Sequence, residues 1–225
     1  MTTSGVPFRK GHGTGNEFIL VSGLDGYFAD PKSVTPTIAQ NICNRDHGLG
    51  ADGILRVARA SEFDVDDAQY FMDYTNADGS ISATCGNGLR VFARYLVEAG
   101  LEMRGQFTIG TRAGTVTVVV SETDTEFTNI AVTMGRVSLG PMDVTVQTET
   151  GSWPAVGIAG MNNHAVSVVD DIAQAGSLDQ VPTALPAGTY PDGVNFEFIQ
   201  SKSPSHIAMR THERGVGETL SCGSG

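Results

Sequence analysis

The stretch Asn76–Gly100, NADGSISATCGNGLRVFARYLVEAG, constrains the fold more than any other part of the chain. A glycine-rich turn, Cys85-Gly86-Asn87-Gly88, runs directly into an apolar segment with helical spacing. Leu89, Val91, Phe92, Ala93, Tyr95, Leu96 and Val97 leave only Arg90 and Arg94 as charged interruptions before Glu98. A helix apolar around so much of its circumference belongs in a core. Gly100 is placed to stop it, because glycine accepts the left-handed conformation that follows a helix end. Cys85 is therefore expected at the N-terminus of a buried helix. Unpaired backbone N–H groups and the positive end of the helix dipole converge there and favour a thiolate.

The arrangement recurs at Glu213–Gly225, ERGVGETLSCGSG, where Cys222-Gly223-Ser224-Gly225 repeats the turn. Asn76 stands nine residues before Cys85, and Glu213 stands nine before Cys222. One Cys-Gly-x-Gly is a weak signal. Two copies with matched upstream turns, in a chain with three cysteines, point to two related halves, each presenting a thiol at a helix start.

The remaining composition sets limits. At 225 residues, 40% hydrophobic and 17% charged, the chain has material for one large domain or two small ones. A net charge of −11 argues against nucleic acid and anionic membrane surfaces as partners. Any anionic substrate would need a locally positive pocket. No secretory apolar run opens the chain and no stretch reaches transmembrane length, so a soluble, cytoplasmic protein is expected. Three widely spaced cysteines make a poor disulfide framework. No CxxC is present and none of the five histidines lies at a familiar ligand spacing from a cysteine, so no metal is expected.

Along the chain, residues 7–22 read as strand, glycine loop and strand, with His12, Asn16 and Glu17 in or beside the loop. Val34–Asn44 reads as an amphipathic helix that buries Cys43 as a structural thiol. Arg45–Gly53 is a glycine loop before a strand at Ile54–Ala58, and 61–69 is an acidic surface loop. Further strands are expected at 70–75, 107–109 and 115–120, then at about 128–134, 142–148, 154–159, 165–169, 194–200 and 207–211. A short helix is expected near 171–176. The polar stretch at 121–126 marks a boundary between halves 1–123 and 124–225. Strands with two or three helices make the class α+β.

At this point the segments HGTGNEF (12–18), GLGADG (48–53), NADGS through CGNGLRVFARY (76–95), GVNFEF (193–198) and ERGVGETLSCGSG (213–225) together resemble the diaminopimelate epimerases. They occur in that family's order and span nearly the whole chain. The resemblance implies two pseudo-symmetric halves, each a mainly antiparallel sheet wrapped around a central helix, with the substrate between the two helix N-termini. It implies cofactor-independent epimerisation of LL-2,6-diaminopimelate to the meso isomer, in lysine and peptidoglycan precursor synthesis. Cys85 and Cys222 would be the catalytic pair, one thiolate and one thiol. Gly86, Asn87, Gly223 and Ser224 would hold the α-carboxylate through backbone N–H groups. Asn16 and Glu213 would hold the reacting ammonium. Asn76, Asn162, Asn195 and Arg214 would grip the distal amino-acid group, and Glu213 and His164 would tune the thiols. No cofactor is implied, and a homodimer is compatible with the family. Taken singly, Asn162 and Asn195 read as loop or strand-edge residues and Arg214 as a surface charge.

The family usually has Gly-Asn-Pro-His where this chain has Met161-Asn162-Asn163-His164, which leaves that loop less constrained. Family members also continue past the second Cys-Gly-x-Gly into a central helix and closing strands, so the C-terminal part of the second half is expected to be missing. A chain ending at Gly225 is expected to be poorly stable and inactive. Two thiols that face one carbon also make a Cys85–Cys222 disulfide, and hence redox-sensitive activity, an expectation. The rival readings are a proline or hydroxyproline racemase-like enzyme, a redox sensor and a metal- or partner-binding module.

Overall fold

The computed structural model describes residues 5–224. The leader-free reading of Met1–Ser4 and the last glycine of the second motif, Gly225, lie outside them. Contacts divide the chain into two compact units, Met1–Met134 and Gly135–Gly225. The division falls after Met134 rather than at 123/124, because a short strand at Ile130–Val132 still pairs with the first sheet.

The first unit is a seven-stranded sheet in sequence order. Its strands are β1 (Phe8–Gly13), β2 (Asn16–Ser22), β3 (Gly53–Arg59), β4 (Tyr70–Asn76), β5 (Gly105–Thr111), β6 (Gly114–Val120) and β7 (Ile130–Val132). Only β2–β3 and β4–β5 pair in parallel. The helix α1 (Pro36–Cys43) starts where Thr35 Oγ1 accepts from Ile38 N at 3.2 Å, with proline in its first turn. The helix α2 (Gly86–Glu98) is the expected central element, packed on β1, β2, β3, β6 and β7, so that both ends of the sheet reach it. Leu89, Phe92, Ala93 and Leu96 are fully buried, each large side chain contributing about 1.5–3 kcal/mol by leaving water. Arg90, Arg94 and Glu98 lie on the wetter side. Gly100, at φ +69°, closes the helix as expected. Its N–H reaches Val97 O while Leu101 N reaches Leu96 O, the double bond of a Schellman stop.

One feature of this unit was not read from sequence. Arg56, expected only as part of a strand, is wholly buried and bonds Asp73 at 2.8 Å, Glu62 at 3.1 Å and Phe28 O at 3.2 Å. Glu62 belongs to the stretch expected to be a surface loop, which instead opens with a 3₁₀ turn at Ala60–Phe63. A buried guanidinium tolerates this position only because its donors are paired.

The second unit is an eight-stranded sheet. Its strands are β8 (Ser138–Leu139), β9 (Val144–Gln147), β10 (Ser152–Ala159), β11 (Asn163–Val168), β12 (Thr183–Leu185), β13 (Asn195–Ser203), β14 (His206–Glu213) and β15 (Gly217–Thr219). Its path runs β12-β9-β10-β11-β13-β14-β15, with β8 on β10 and only β11–β13 parallel. Val144, Val146, Ala165, Leu178, Phe196 and Phe198 form its core, with Trp153 edge-on to Phe198 at 5.5 Å. The helix expected near 171–176 is a 3₁₀ turn, Ile172–Ala175. Among the described residues this unit holds no α-helix.

Both units contain the same ladder. β1 and β2 form a hairpin, β2 runs parallel to β3, and β3 runs antiparallel to β4, which ends at Asn76. β10 and β11 form a hairpin, β11 runs parallel to β13, and β13 runs antiparallel to β14, which ends at Glu213. Phe18 faces Gly53 and Gly53 faces Asn76. His164 faces Asn195, and since Phe196 faces His212, Asn195 falls level with Glu213. The register therefore matches Asn16 with Asn162, Phe18 with His164, Gly53 with Asn195, Leu55 with Glu197 and Asn76 with Glu213.

Candidate active site

Cys85 caps α2. Its Sγ accepts from Gly88 N at 3.4 Å, and its thiol reaches Asn16 Oδ1 at 3.7 Å. The cap works because Cys85 is itself extended, at φ −151°, and the three residues that follow are small or polar. The first helical turn rests on β2 and β3. A Cβ at Gly88 would lie 3.4 Å from Phe18 and 3.5 Å from both Leu55 and the cysteine's own Cβ. Gly13 must be glycine, since a Cβ there would stand 2.7 Å from Asn87 O. Asn87 is fully buried and its Oδ1 accepts from Thr14 at 3.1 Å and from Arg90 at 2.5 Å. The first turn of α2 is thereby fixed and keeps its N–H groups pointed outward from the helix start.

Asn16 is held by a residue that sequence reasoning missed. Asp52 Oδ2 accepts from Asn16 Nδ2 and from Glu17 N, both at 2.8 Å, and Asp52 Oδ1 accepts from Arg45 at 2.8 Å. The signal was available: an acidic side chain inside the glycine loop GLGADG, one residue before a buried strand. Arg45 and Lys10 hold Glu17 below the usual carboxylate range, Arg45 through the shortest contact. Asn76 is buried at the end of β4, and its amide donates to Ser80 Oγ at 2.9 Å.

The second thiol has different neighbours. Asn195 Nδ2 lies 3.8 Å from Cys222 Sγ, and Asn195 Oδ1 accepts from Arg214 N at 2.9 Å. Ser224 Oγ stands 3.6 Å from the sulfur. Glu213 accepts from Thr219 Oγ1 at 2.6 Å, and the Arg214 guanidinium bonds Asp192 O across Gly193. Asn162 sits half-buried in the β10–β11 turn. His164 Nδ1 meets Glu197 Oε1 at 2.6 Å, both side chains buried. One ligand-type atom each from His164, Glu197 and Cys222 all lie within 4.8 Å of one another.

Glu197 is the other residue missed. In VNFEFIQ it read as the polar half of an alternation, yet β13 is buried on both faces from Asn195 to Phe198. His164 and Cys222 lie at no familiar ligand spacing in the sequence, yet β11, β13 and the final loop bring them together with Glu197 in space.

At Cys222 the surrounding described residues raise the thiol. Burial pushes Cys222 up to about 11, and the Glu213 and Glu197 carboxylates add to this, against opposing hydrogen bonds from Ser224. Cys43, expected to be structural, is buried on α1 and likewise pushed up to about 11, first by burial and then by Asp52.

Within the first unit the structure groups Asn16, Gly86, Asn87 and Cys85. Within the second it groups His164, Asn195, the Arg214 backbone, Ser224 and Cys222. No helix among the described residues is long and apolar enough to cross a membrane.

Comparison with known proteins places both loops in one family. The diaminopimelate epimerase family profile matches residues 8–140 and 158–225. A diaminopimelate epimerase of Streptomyces coelicolor is 43% identical over 225 residues, covering 98% of this chain and 75% of that protein. One of Mycolicibacterium gilvum is 42% identical over 235 residues, covering 98% and 79%. Among solved structures, a probable proline racemase of Agrobacterium radiobacter superposes with a TM-score of 0.71 at 18% identity, over 98% of this chain and 74% of that one. A hydroxyproline epimerase of Agrobacterium vitis superposes with a TM-score of 0.67 at 15% identity, over 96% and 73%. At such identities the structural likeness establishes the fold alone.

Proposed function

The chain belongs to the diaminopimelate epimerase family, and from that premise we propose that it interconverts LL- and meso-2,6-diaminopimelate without a cofactor, through Cys85 and Cys222. The observation that carries this is the repeated ladder. The same strand order delivers a Cys-Gly-x-Gly loop nine residues after the last residue of β4 and again after that of β14. Inverting Cα requires a base on one face and an acid on the other, and two copies of one loop supply a matched pair of thiols.

The surroundings divide the roles. Cys85 donates its thiol hydrogen to Asn16 Oδ1 and accepts from Gly88 N at the start of a 13-residue helix, which stabilises the thiolate once that hydrogen has left. Cys222 is held protonated by burial and two carboxylates. In the direction that starts with proton abstraction by Cys85, Cys85 is the base and Cys222 the acid. After one turnover the protons have exchanged places, and the reverse reaction runs with the roles reversed. The pair titrates as a unit once both thiols share a substrate. As Cα loses its proton, charge spreads onto the α-carboxylate. The N–H groups of Gly86 and Asn87, with those of Gly223 and Ser224, are the donors assigned to it. Asn16 and Glu213 receive the reacting ammonium. Asn76, Asn162, Asn195 and Arg214 receive the distal amino acid, with Arg214 on its carboxylate. For that, the Arg214 guanidinium must turn from Asp192 O.

The test is LL-diaminopimelate in D₂O with reductant and no pyridoxal phosphate, followed by proton NMR. Deuterium entry at Cα with appearance of the meso isomer is expected of the protein extended past Gly225 to its relatives' length, and proline should stay protonated. Exchange at proline instead would transfer the chain to the racemase reading. We also infer that peroxide links Cys85 to Cys222. A non-reducing peptide map lacking that cross-link would remove the redox element.

A further inference from the structure

We propose that His164, Glu197 and Cys222 form a binding site for a soft divalent cation, zinc foremost, which silences the second thiol when filled. The effect on turnover rests on the epimerase reading, but the site itself does not.

The trio offers sulfur, imidazole nitrogen and carboxylate oxygen within 4.8 Å, all from side chains at most 8% exposed. This donor set suits zinc, which binds all three and commonly leaves a fourth position open. Hard cations such as magnesium prefer all-oxygen surroundings and should not compete. A second observation points the same way. Glu197 is 1% exposed, and its Oε2 has no hydrogen-bond partner among the described residues. A buried carboxylate oxygen left unpaired is costly, and a cation beside it would relieve that cost. Zinc's bond lengths put tetrahedral ligand atoms roughly 3.5 Å apart. The trio must therefore close by side-chain rotation, on the adjacent strands β11 and β13 that already hold two of the ligands in register. Binding converts the Cys222 thiol into a metal thiolate and releases one proton to solvent for each ion bound.

The site is specific to one loop. At the matching positions the first unit has Phe18 and Leu55, which carry no ligand atom. A cation therefore distinguishes two thiols that a general thiol reagent does not.

The experiment is anaerobic titration of the whole chain with cobalt(II) in a phosphine reductant, followed by back-titration with zinc. One cobalt per chain is expected, with a near-ultraviolet thiolate-to-cobalt charge-transfer band that zinc abolishes and magnesium does not. Cys222→Ser should remove the band, while Cys85→Ser and Cys43→Ser keep it. Glu197→Gln and His164→Gln should each weaken binding at least about tenfold. In unsubstituted protein, zinc should slow iodoacetamide labelling of Cys222 and leave Cys85 unaffected, which requires no variant to fold. A chain without the band in excess cobalt, a band that survives Cys222→Ser, or labelling that zinc does not slow overturns the site. A band without Cα exchange in the protein extended to its relatives' length would keep the site and refute the epimerase reading.

Discussion

The two cysteine loops hang from the same ladder, yet they sit over opposite chemistry. Beneath Cys85 the matched positions are Phe18 and Leu55; beneath Cys222 they are His164 and Glu197. Burial is nearly the same, 7% against 8%, so exposure does not distinguish the thiols. What differs among the described residues is charge: the Glu213 and Glu197 carboxylates press on Cys222. The first thiol is also braced from behind by Asp52 through Asn16, and the register puts Val194 at the corresponding place in the second unit. A duplicated ladder thus holds two thiols of nearly equal burial in different charge surroundings.

Several changes would sharpen or break this contrast. The largest effect is expected from Cys85→Ala and Cys222→Ala, each lowering Cα exchange by about 10²–10⁴-fold. A variant that keeps a tenth of the activity would show that its loop is not half of a pair. Asp52→Ala releases Asn16, Glu17 N–H and Arg45 together. It should lower stability by about 1–3 kcal/mol in urea melts and reduce kcat more than it raises KM. The matching Val194→Ala should leave labelling of Cys85 unaltered. Glu197→Gln removes one of the carboxylates that push Cys222 up, so labelling of Cys222 at fixed pH should rise severalfold, with Cys85 unaltered.

The Cys222 proton also makes stability depend on pH. Its folded value, about 11, lies above the ordinary thiol value of 9.0. The folded form therefore keeps a proton that the unfolded chain loses. That contribution is complete below the ordinary value and disappears as pH rises through the folded one. Denaturation midpoints should show it, and Cys222→Ser should flatten the curve there. Cys43→Ala should have the smallest effect: turnover unchanged, with about 1 kcal/mol lost for the buried sulfur.

Much of this was legible in the sequence because local rules agreed with the fold. The apolar run after Cys85, the glycine stop at Gly100, the hairpin at residues 7–22 and the Asn76/Glu213 spacing each reflect short-range chemistry. What stayed hidden depends on strand partners. Glu197 became a site residue because β11 places His164 beside it, and Arg56 became a buried hub because Asp73 and Glu62 arrive from elsewhere. Asp52 was concealed by the glycines around it. The division of the units moved for the same reason, since Ile130–Val132 reads as the start of a new half until β6 is available to pair with it.

The most direct test is iodoacetamide labelling of Cys85 and Cys222 in the same sample, read by mass spectrometry across pH. With burial matched, the rate reports thiolate character. Cys85 should label at least about tenfold faster near neutral pH, while Cys222 should gain about tenfold per pH unit toward its elevated value. Equal rates across the range, or faster labelling of Cys222 near neutrality, would contradict the assignment of Cys85 as base and Cys222 as acid.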